Sequence, residues 1–87
     1  MNDVDEDIYW LQTHSNPRFS EVMNICRRHF GEERVGKGSH RVFKTPWPGD
    51  PRVNIQEKKG TVARYQIRQV IAALDKLRHQ ISGEEVE

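Results

Sequence analysis

Hydrophobic residues recur at helical spacing in two segments of the chain, one in its first third and one in its last third. The first stripe has the spacing i, i+3, i+4, i+7 and i+11, and its members are Phe19, Val22, Met23, Cys26 and Phe30. This spacing predicts an amphipathic helix with one buried face. Asn16-Pro17 suits the start of that helix, and Gly31 suits its end.

The second stripe predicts a helix over residues 63–79, with Thr61 as its candidate N-cap. Its predicted buried positions are Ile67, Val70, Ile71, Leu74 and Leu77. Basic side chains on the other face, Arg64 and Arg68 among them, remain for solvent or for a phosphate ligand. A solvated basic face is the simpler interpretation, and phosphate contact is the alternative.

Three short stretches between the two stripes predict β-strands. Residues 32–35 give a weak strand, whereas residues 40–45 and 52–56 alternate between two faces. The segment 46–51 contains three prolines and is expected to form a rigid turn. The segment 57–61 is expected to be a charged loop.

The alternation in these strands predicts a sheet with one buried and one open face. With Phe43, Val53 and Ile55 turned toward the core, the open face carries His40, Lys44, Asn54 and Gln56. The order helix, three antiparallel strands, helix is an α+β fold in which both helices cover one face of the sheet. This α-β-β-β-α architecture is that of the double-stranded-RNA-binding domain, which recognises RNA by its shape and its phosphates.

The first fifteen residues extend this predicted domain. Residues 1–7 are polar and acidic, and we expect them to be disordered. The stretch Ile8-Tyr9-Trp10-Leu11 is apolar enough to dock on the body of the domain as a short helix.

Length and composition restrict the class of protein. A chain of 87 residues forms one small domain and buries only about 60% of its unfolded surface. It contains no apolar run long enough for a transmembrane helix or the core of a signal peptide. Cys26 is the only cysteine, which excludes an internal disulfide and a cysteine-rich metal site. We interpret it as a core residue, and a reducing cytoplasm suits the chain best.

The formal net charge of +1 conceals an uneven distribution of charge. All fourteen Lys and Arg lie between Arg18 and Arg78, a span that holds six acids and therefore has a net charge of +8. The other seven acids lie at the two ends of the chain. A basic body points to a polyanionic partner such as RNA. The acidic ends are either solvated tails or shields of that basic surface.

The most informative motif is Gly38-Ser39-His40-Arg41-Val42-Phe43-Lys44. Gly38 permits a tight turn, and Ser39 can hydrogen-bond within it. His40 is of the residue type that exchanges protons near neutral pH, and Lys37, Arg41 and Lys44 suit an anionic phosphodiester. These groups are what RNA cleavage without a metal requires. The alternative is that His40 only hydrogen-bonds a turn at the end of a strand.

This motif, lying between a short amphipathic helix and a terminal one, resembles the HicA toxins of bacterial toxin–antitoxin systems. The block from Lys37 to Gln56 and the stretch Tyr65-Gln66-Ile67-Arg68-Gln69-Val70 are similar to one HicA-like subgroup. The resemblance covers roughly residues 17–78. It divides the chain into an acidic, partly disordered extension (1–15), a HicA-like domain (16–80) and an acidic tail (81–87).

The resemblance implies a small endoribonuclease, an mRNA interferase, that needs no cofactor or metal. The essential histidine of the family corresponds to His40, and a HicB-type antitoxin covers the active face. Expected contacts with RNA phosphates are made by Lys37, Ser39, Arg41, Lys44, Arg64 and Arg68. Many family members have a second histidine directly after the first, but this chain has Arg41 there. The group that would complete proton transfer with His40 is therefore unassigned.

Two other classes of function fit the same residues. One is a non-catalytic RNA-binding module that uses the basic face, and the other is a protein-interaction domain that docks an acidic partner. Trp47 also has two possible roles: it can stack on an RNA base, or it can anchor the proline-rich turn to the body of the domain. We expect the anchor. No membrane partner is expected.

Overall fold

The strands form one antiparallel sheet that is covered by helices on one face only. The computed structural model describes residues 3–38 and 40–82. The elements, in chain order, are helices α1 (Asp3–Thr13) and α2 (Phe19–Phe30), strands β1 (Arg34–Val35), β2 (His40–Phe43), β3 (Val53–Lys58) and β4 (Thr61–Val62), and helix α3 (Arg64–Ser82). The spatial order of the strands is β1-β2-β3-β4. The α+β class predicted from the sequence is confirmed.

The alternation of β2 and β3 divides the sheet as the sequence predicts. Phe43 pairs with Val53 across the two strands, and both are buried, as is Ile55. These three side chains pack under α2 and α3, where they join one continuous core. On the other face Asn54 and Gln56 are exposed, so this face of the sheet is open.

The fourth strand is a correction to the three-stranded prediction. Lys59 and Gly60 have φ values of 53° and 82°, and Lys58 pairs with Thr61 on either side of them. Two residues with positive φ form a tight hairpin turn whose twist matches that of the strands. The predicted loop over residues 57–61 is therefore a β-hairpin. The predicted N-cap is wrong as well, because the Thr61 hydroxyl donates to the Lys58 carbonyl at 2.9 Å.

Helix α2 forms as its apolar spacing predicts. Val22, Met23 and Cys26 are buried, and Phe19 and Phe30 pack half-buried against the same core. The helix begins after Arg18, whose backbone N–H donates to the Glu21 carboxylate at 2.9 Å. It ends at Gly31, as predicted, where the glycine N–H donates to the Arg27 carbonyl at 3.1 Å.

The N-terminal segment is a helix, which corrects the prediction of disorder for residues 3–7. Helix α1 packs on α3, and Val4, Ile8 and Leu11 are buried beneath it. The docking predicted for residues 8–11 is confirmed. The prediction of disorder failed because it treated the acidic residues as solvated, whereas two of them are paired with basic residues far along the chain.

These ion pairs join α1 to both other helices. The Asp7 carboxylate accepts hydrogen bonds from Arg28 at 3.0 Å and from the ring of His29 at 2.6 Å, both on α2. Asp5 accepts from Arg78 on α3 at 2.9 Å. Helix α1 therefore packs on α3 and is joined to α2 by an ion pair.

The helix α3 follows its predicted stripe. Ile67, Val70 and Leu74 are buried, while Ile71 and Leu77 are partly buried against the core. None of the helices in the described residues is both long enough and apolar enough to cross a lipid bilayer.

Candidate functional site

His40 lies at the start of β2, and the turn before it is fixed by two backbone hydrogen bonds. The His40 N–H donates to the Lys37 carbonyl at 3.2 Å, and the Gly36 N–H donates to the His40 carbonyl at 2.9 Å. Gly38, within this turn, has a φ of 61°, a conformation that glycine adopts without penalty. Ser39, a predicted phosphate ligand, lies outside the described residues. The motif therefore builds the turn that presents His40.

The imidazole of His40 is held by the side chain of Asn54. Its Nδ1 lies 3.1 Å from the amide oxygen Oδ1 of Asn54 on the neighbouring strand. An amide oxygen can only accept a hydrogen bond, so Nδ1 carries the hydrogen. In the neutral ring Nε2 then has a lone pair and can accept a proton. This arrangement is that of a histidine oriented to act as a base.

Asn54 was predicted on the open face but not as a site residue. The position directly opposite His40 is Gln56, and Asn54 is its diagonal neighbour on the same face. The alternation of the strands shows that these side chains share a face. The register between β2 and β3 depends on the turn that joins them, and the sequence pattern does not fix that register.

Two predicted cations lie close to His40 in the chain and are exposed. Lys37 is the residue whose carbonyl closes the turn, and Lys44 directly follows β2. Lys44 also lines a groove of about 360 Å³ together with Arg34 and Arg52, neither of which was predicted as a site residue.

The other predicted cations do not join His40. Arg41 pairs with Ile55, on the helix-covered side of the sheet, and its guanidinium donates to the His40 carbonyl at 3.2 Å. Arg64 is the exposed first residue of α3. Arg68 lines a groove between α1 and α3, whose other lining residues include Asp5 and Asp75. Helix α1 was predicted only as a short docking segment, so the position of Arg68 against it was missed.

The other three histidines lie on or beside the helices. His14 stacks on Trp10 with 4.0 Å between the ring centroids, and His29 is bonded to Asp7. His79 Nδ1 donates to the Asp75 carbonyl at 2.9 Å. All four histidines lie in the part of the chain that the structure describes, and His40 is the one on the sheet.

Cys26 and Trp47 have the structural roles predicted for them. Burial raises the pKa of the Cys26 thiol to about 12, with a smaller effect from the Asp7 carboxylate, so the thiol is protonated and unreactive near neutral pH. Trp47 is 8% exposed and donates from Nε1 to the Pro51 carbonyl at 3.0 Å. Its ring also packs edge to face on that of Phe30, with 6.4 Å between the ring centroids, and Lys76 Nζ lies 5.0 Å from the Trp47 ring centroid. Trp47 is thus the anchor of the turn.

No family model, curated protein or solved structure matches this chain. In the part of the chain that the structure describes, no three His, Cys, Asp or Glu side chains are grouped as metal ligands.

Proposed function

We propose that this chain is a HicA-type toxin, a cytoplasmic endoribonuclease that cleaves mRNA with His40 as general base or acid. The observation that carries the proposal is the hydrogen bond between His40 and Asn54, which leaves Nε2 ready to accept a proton on an open sheet face. Exposed Lys37 and Lys44 flank this histidine in the chain and supply positive charge for a phosphodiester.

The proposed reaction uses the 2′-hydroxyl of RNA as its own nucleophile. His40 Nε2 takes the proton of the 2′-hydroxyl as the bond from O2′ to phosphorus forms and the bond to the 5′-oxygen breaks. The products are a 2′,3′-cyclic phosphate and a 5′-hydroxyl. Proton transfer by a positioned side chain contributes roughly 10²–10⁴-fold to a rate.

The leaving 5′-oxygen also needs a proton. The other three histidines are bonded or stacked at the helices, so the proposal assigns this proton to solvent. Lys44 would stabilise the negative charge that develops on the phosphate oxygens.

The arrangement of the elements supports a double-stranded-RNA-binding-like fold as part of this proposal. Helices α2 and α3 pack on one face of an antiparallel sheet, and the other face is open. Helix α1 and the short strand β4 would be additions to that plan. A HicB-type antitoxin would neutralise the protein by covering the open face.

The second candidate is an RNA-binding module without catalysis. The observation that favours it is that only one histidine lies on the sheet, because a fast acid–base reaction usually employs two proton-transfer groups. Such a module would bind RNA with an affinity that falls as salt is added, since each phosphate contact releases counterions.

One experiment separates the candidates. Wild type, His40→Ala and a control, His14→Ala, are expressed, and growth and RNA integrity are measured together. The purified proteins are then tested for folding by circular dichroism, for RNA cleavage in the presence of a chelator, and for RNA binding. His14 is exposed on the helical side, which makes its variant a matched control.

The enzyme proposal expects that His40→Ala alone loses cleavage and toxicity while folding and RNA binding persist. Cleavage that persists in His40→Ala overturns it. RNA binding without cleavage in all three proteins supports the non-catalytic module, and absence of RNA binding supports a protein-interaction domain.

A further inference from the structure

A groove of about 360 Å³ opens beside the sheet face that carries His40. Its apolar lining residues are the exposed Val42 and the largely buried Phe43 and Trp47, and its cations are Arg34, Lys44 and Arg52. The cations come from three separate segments, β1, the residue after β2 and the residue before β3. The fold therefore gathers positive charge around one concave apolar surface.

The charged residues that line this groove are all positive. Among the described residues that line it, none is acidic. Arg52 Nε lies 3.9 Å from Asp50 Oδ1, but both side chains are more than three-quarters exposed. An ion pair so exposed contributes little, so it does not prevent Arg52 from binding an anion.

The groove is connected to His40 through the sheet. Val42 pairs with Arg34 on one side and with Asn54 on the other, and Asn54 is the residue that holds the His40 ring. Val42 and His40 lie two residues apart on the same face of β2, a distance of about 7 Å. A nucleotide in the groove would thus be adjacent to a phosphate at His40.

We propose that this groove binds one nucleotide of a single-stranded RNA, next to the scissile phosphate. The base lies against Val42, which is 38% exposed, and the phosphate lies between Arg34 and Arg52. The volume is within the range of about 300–1,000 Å³ that is usual for small-ligand sites. This inference rests on the proposed function in that it assigns the RNA a subsite.

The test uses the full chain with His40→Ala, so that the RNA stays intact. Binding of a short fluorescein-labelled single-stranded RNA is measured by anisotropy over a range of salt concentrations. Arg34→Gln/Arg52→Gln is compared with Lys59→Gln, a control that removes a positive charge in the hairpin turn at the other end of β3. Lys59 is six residues beyond Val53, about 20 Å along the strand.

The expected result is that the double variant binds at least tenfold more weakly. Its slope of log affinity against log salt should be smaller by about 0.7, the contribution of one phosphate contact to a single strand, because both arginines bind the same phosphate. The Lys59→Gln control should keep both values. A double variant that behaves like the Lys59→Gln control overturns the proposal.

A second variant, Val42→Ala, tests the apolar lining without changing charge. It should weaken binding severalfold while the salt slope stays the same, and unchanged affinity contradicts the assignment of the base to Val42. If the double variant keeps its RNA affinity but loses affinity for polyglutamate, the groove is a protein-docking site and the proposal fails. These measurements do not depend on cleavage. The groove proposal can therefore be wrong while His40 is catalytic, and it can be right while His40 is not.

Discussion

The Nδ1 atom of His40 lies 3.1 Å from the Oδ1 atom of Asn54, across the two central strands of the sheet. The two residues are diagonal neighbours on the open face. Because the amide oxygen accepts, Asn54 selects the tautomer in which Nε2 has no hydrogen. A single uncharged side chain thereby determines which nitrogen of His40 is available for proton transfer.

Replacement of Asn54 by leucine is expected to remove the preference of His40 for the tautomer with hydrogen on Nδ1. Nitrogen NMR of ring-labelled protein should show His40 shifting toward the form with hydrogen on Nε2. RNA cleavage should fall about fivefold, which corresponds to one hydrogen bond of about 1 kcal/mol. Gln56→Leu, on the same face and strand, is the matched control and should leave the tautomer unchanged. An identical His40 spectrum in Asn54→Leu would contradict the role of Asn54.

The turn at Gly38 should tolerate asparagine and reject valine. Its φ of 61° is accessible to asparagine but unfavourable for a β-branched residue. A Cβ at this position meets no atom within 4 Å, so the cost comes from the backbone alone. Gly38→Val should lose about 1–2 kcal/mol, and Gly38→Asn should lose less. Thermal melts of both variants check this, and equal melting temperatures would refute it.

The parts of the fold that the sequence predicts are those set by local periodicity. The apolar stripe of α2 and the alternation of β3 are repeated every few residues, so each can be recognised without knowledge of the rest of the chain. Strand β4 was missed because its turn has a lysine, Lys59, in the left-handed conformation. That position normally indicates a hairpin only when it is occupied by asparagine, aspartate or glycine.

The sequence predicted which face of the sheet carries the site, but not which residues meet there. His40 was assigned to the open face, but its partner Asn54 and the groove cations Arg34 and Arg52 depend on strand register and on the path of the turn. Arg68 was assigned to RNA binding because α1, which lies against it, was not foreseen as a full helix. Contacts between segments that are distant in the chain therefore could not be predicted from the sequence pattern.

Loss of the Asp7 carboxylate should destabilise the protein. In Asp7→Ala the His29 ring, 7% exposed, loses its acceptor, and Arg28 loses its partner. An unsatisfied buried polar group costs about 1–3 kcal/mol. Urea unfolding should show a loss of that size. The matched control is Glu6→Ala, because Glu6 lies exposed on the same helix and its replacement should change stability little. Equal stabilities of the two variants would disprove the role of Asp7.

The buried thiol of Cys26 should make the protein less stable at alkaline pH. Its pKa is about 12 in the folded protein and about 9 when unfolded, so the folded state holds the proton more tightly. The stabilising effect is fully present below pH 9 and is lost as the pH rises from there toward 12. Urea unfolding between about pH 8 and pH 11 should show a steeper decline in wild type than in Cys26→Ala. Parallel declines would contradict this assignment.

Helix α1 also shapes the electric field of the molecule. Asp5 and Asp7 neutralise Arg78 and Arg28 at the helical side, whereas the cations of the groove keep their charge at the sheet. The described residues therefore place paired charges among the helices, and three cations with no acid in the groove beside the open face. An approaching polyanion would exert a torque that turns this face toward it, over a range of about 8 Å at physiological ionic strength. Association should thus be oriented before the first contact is made.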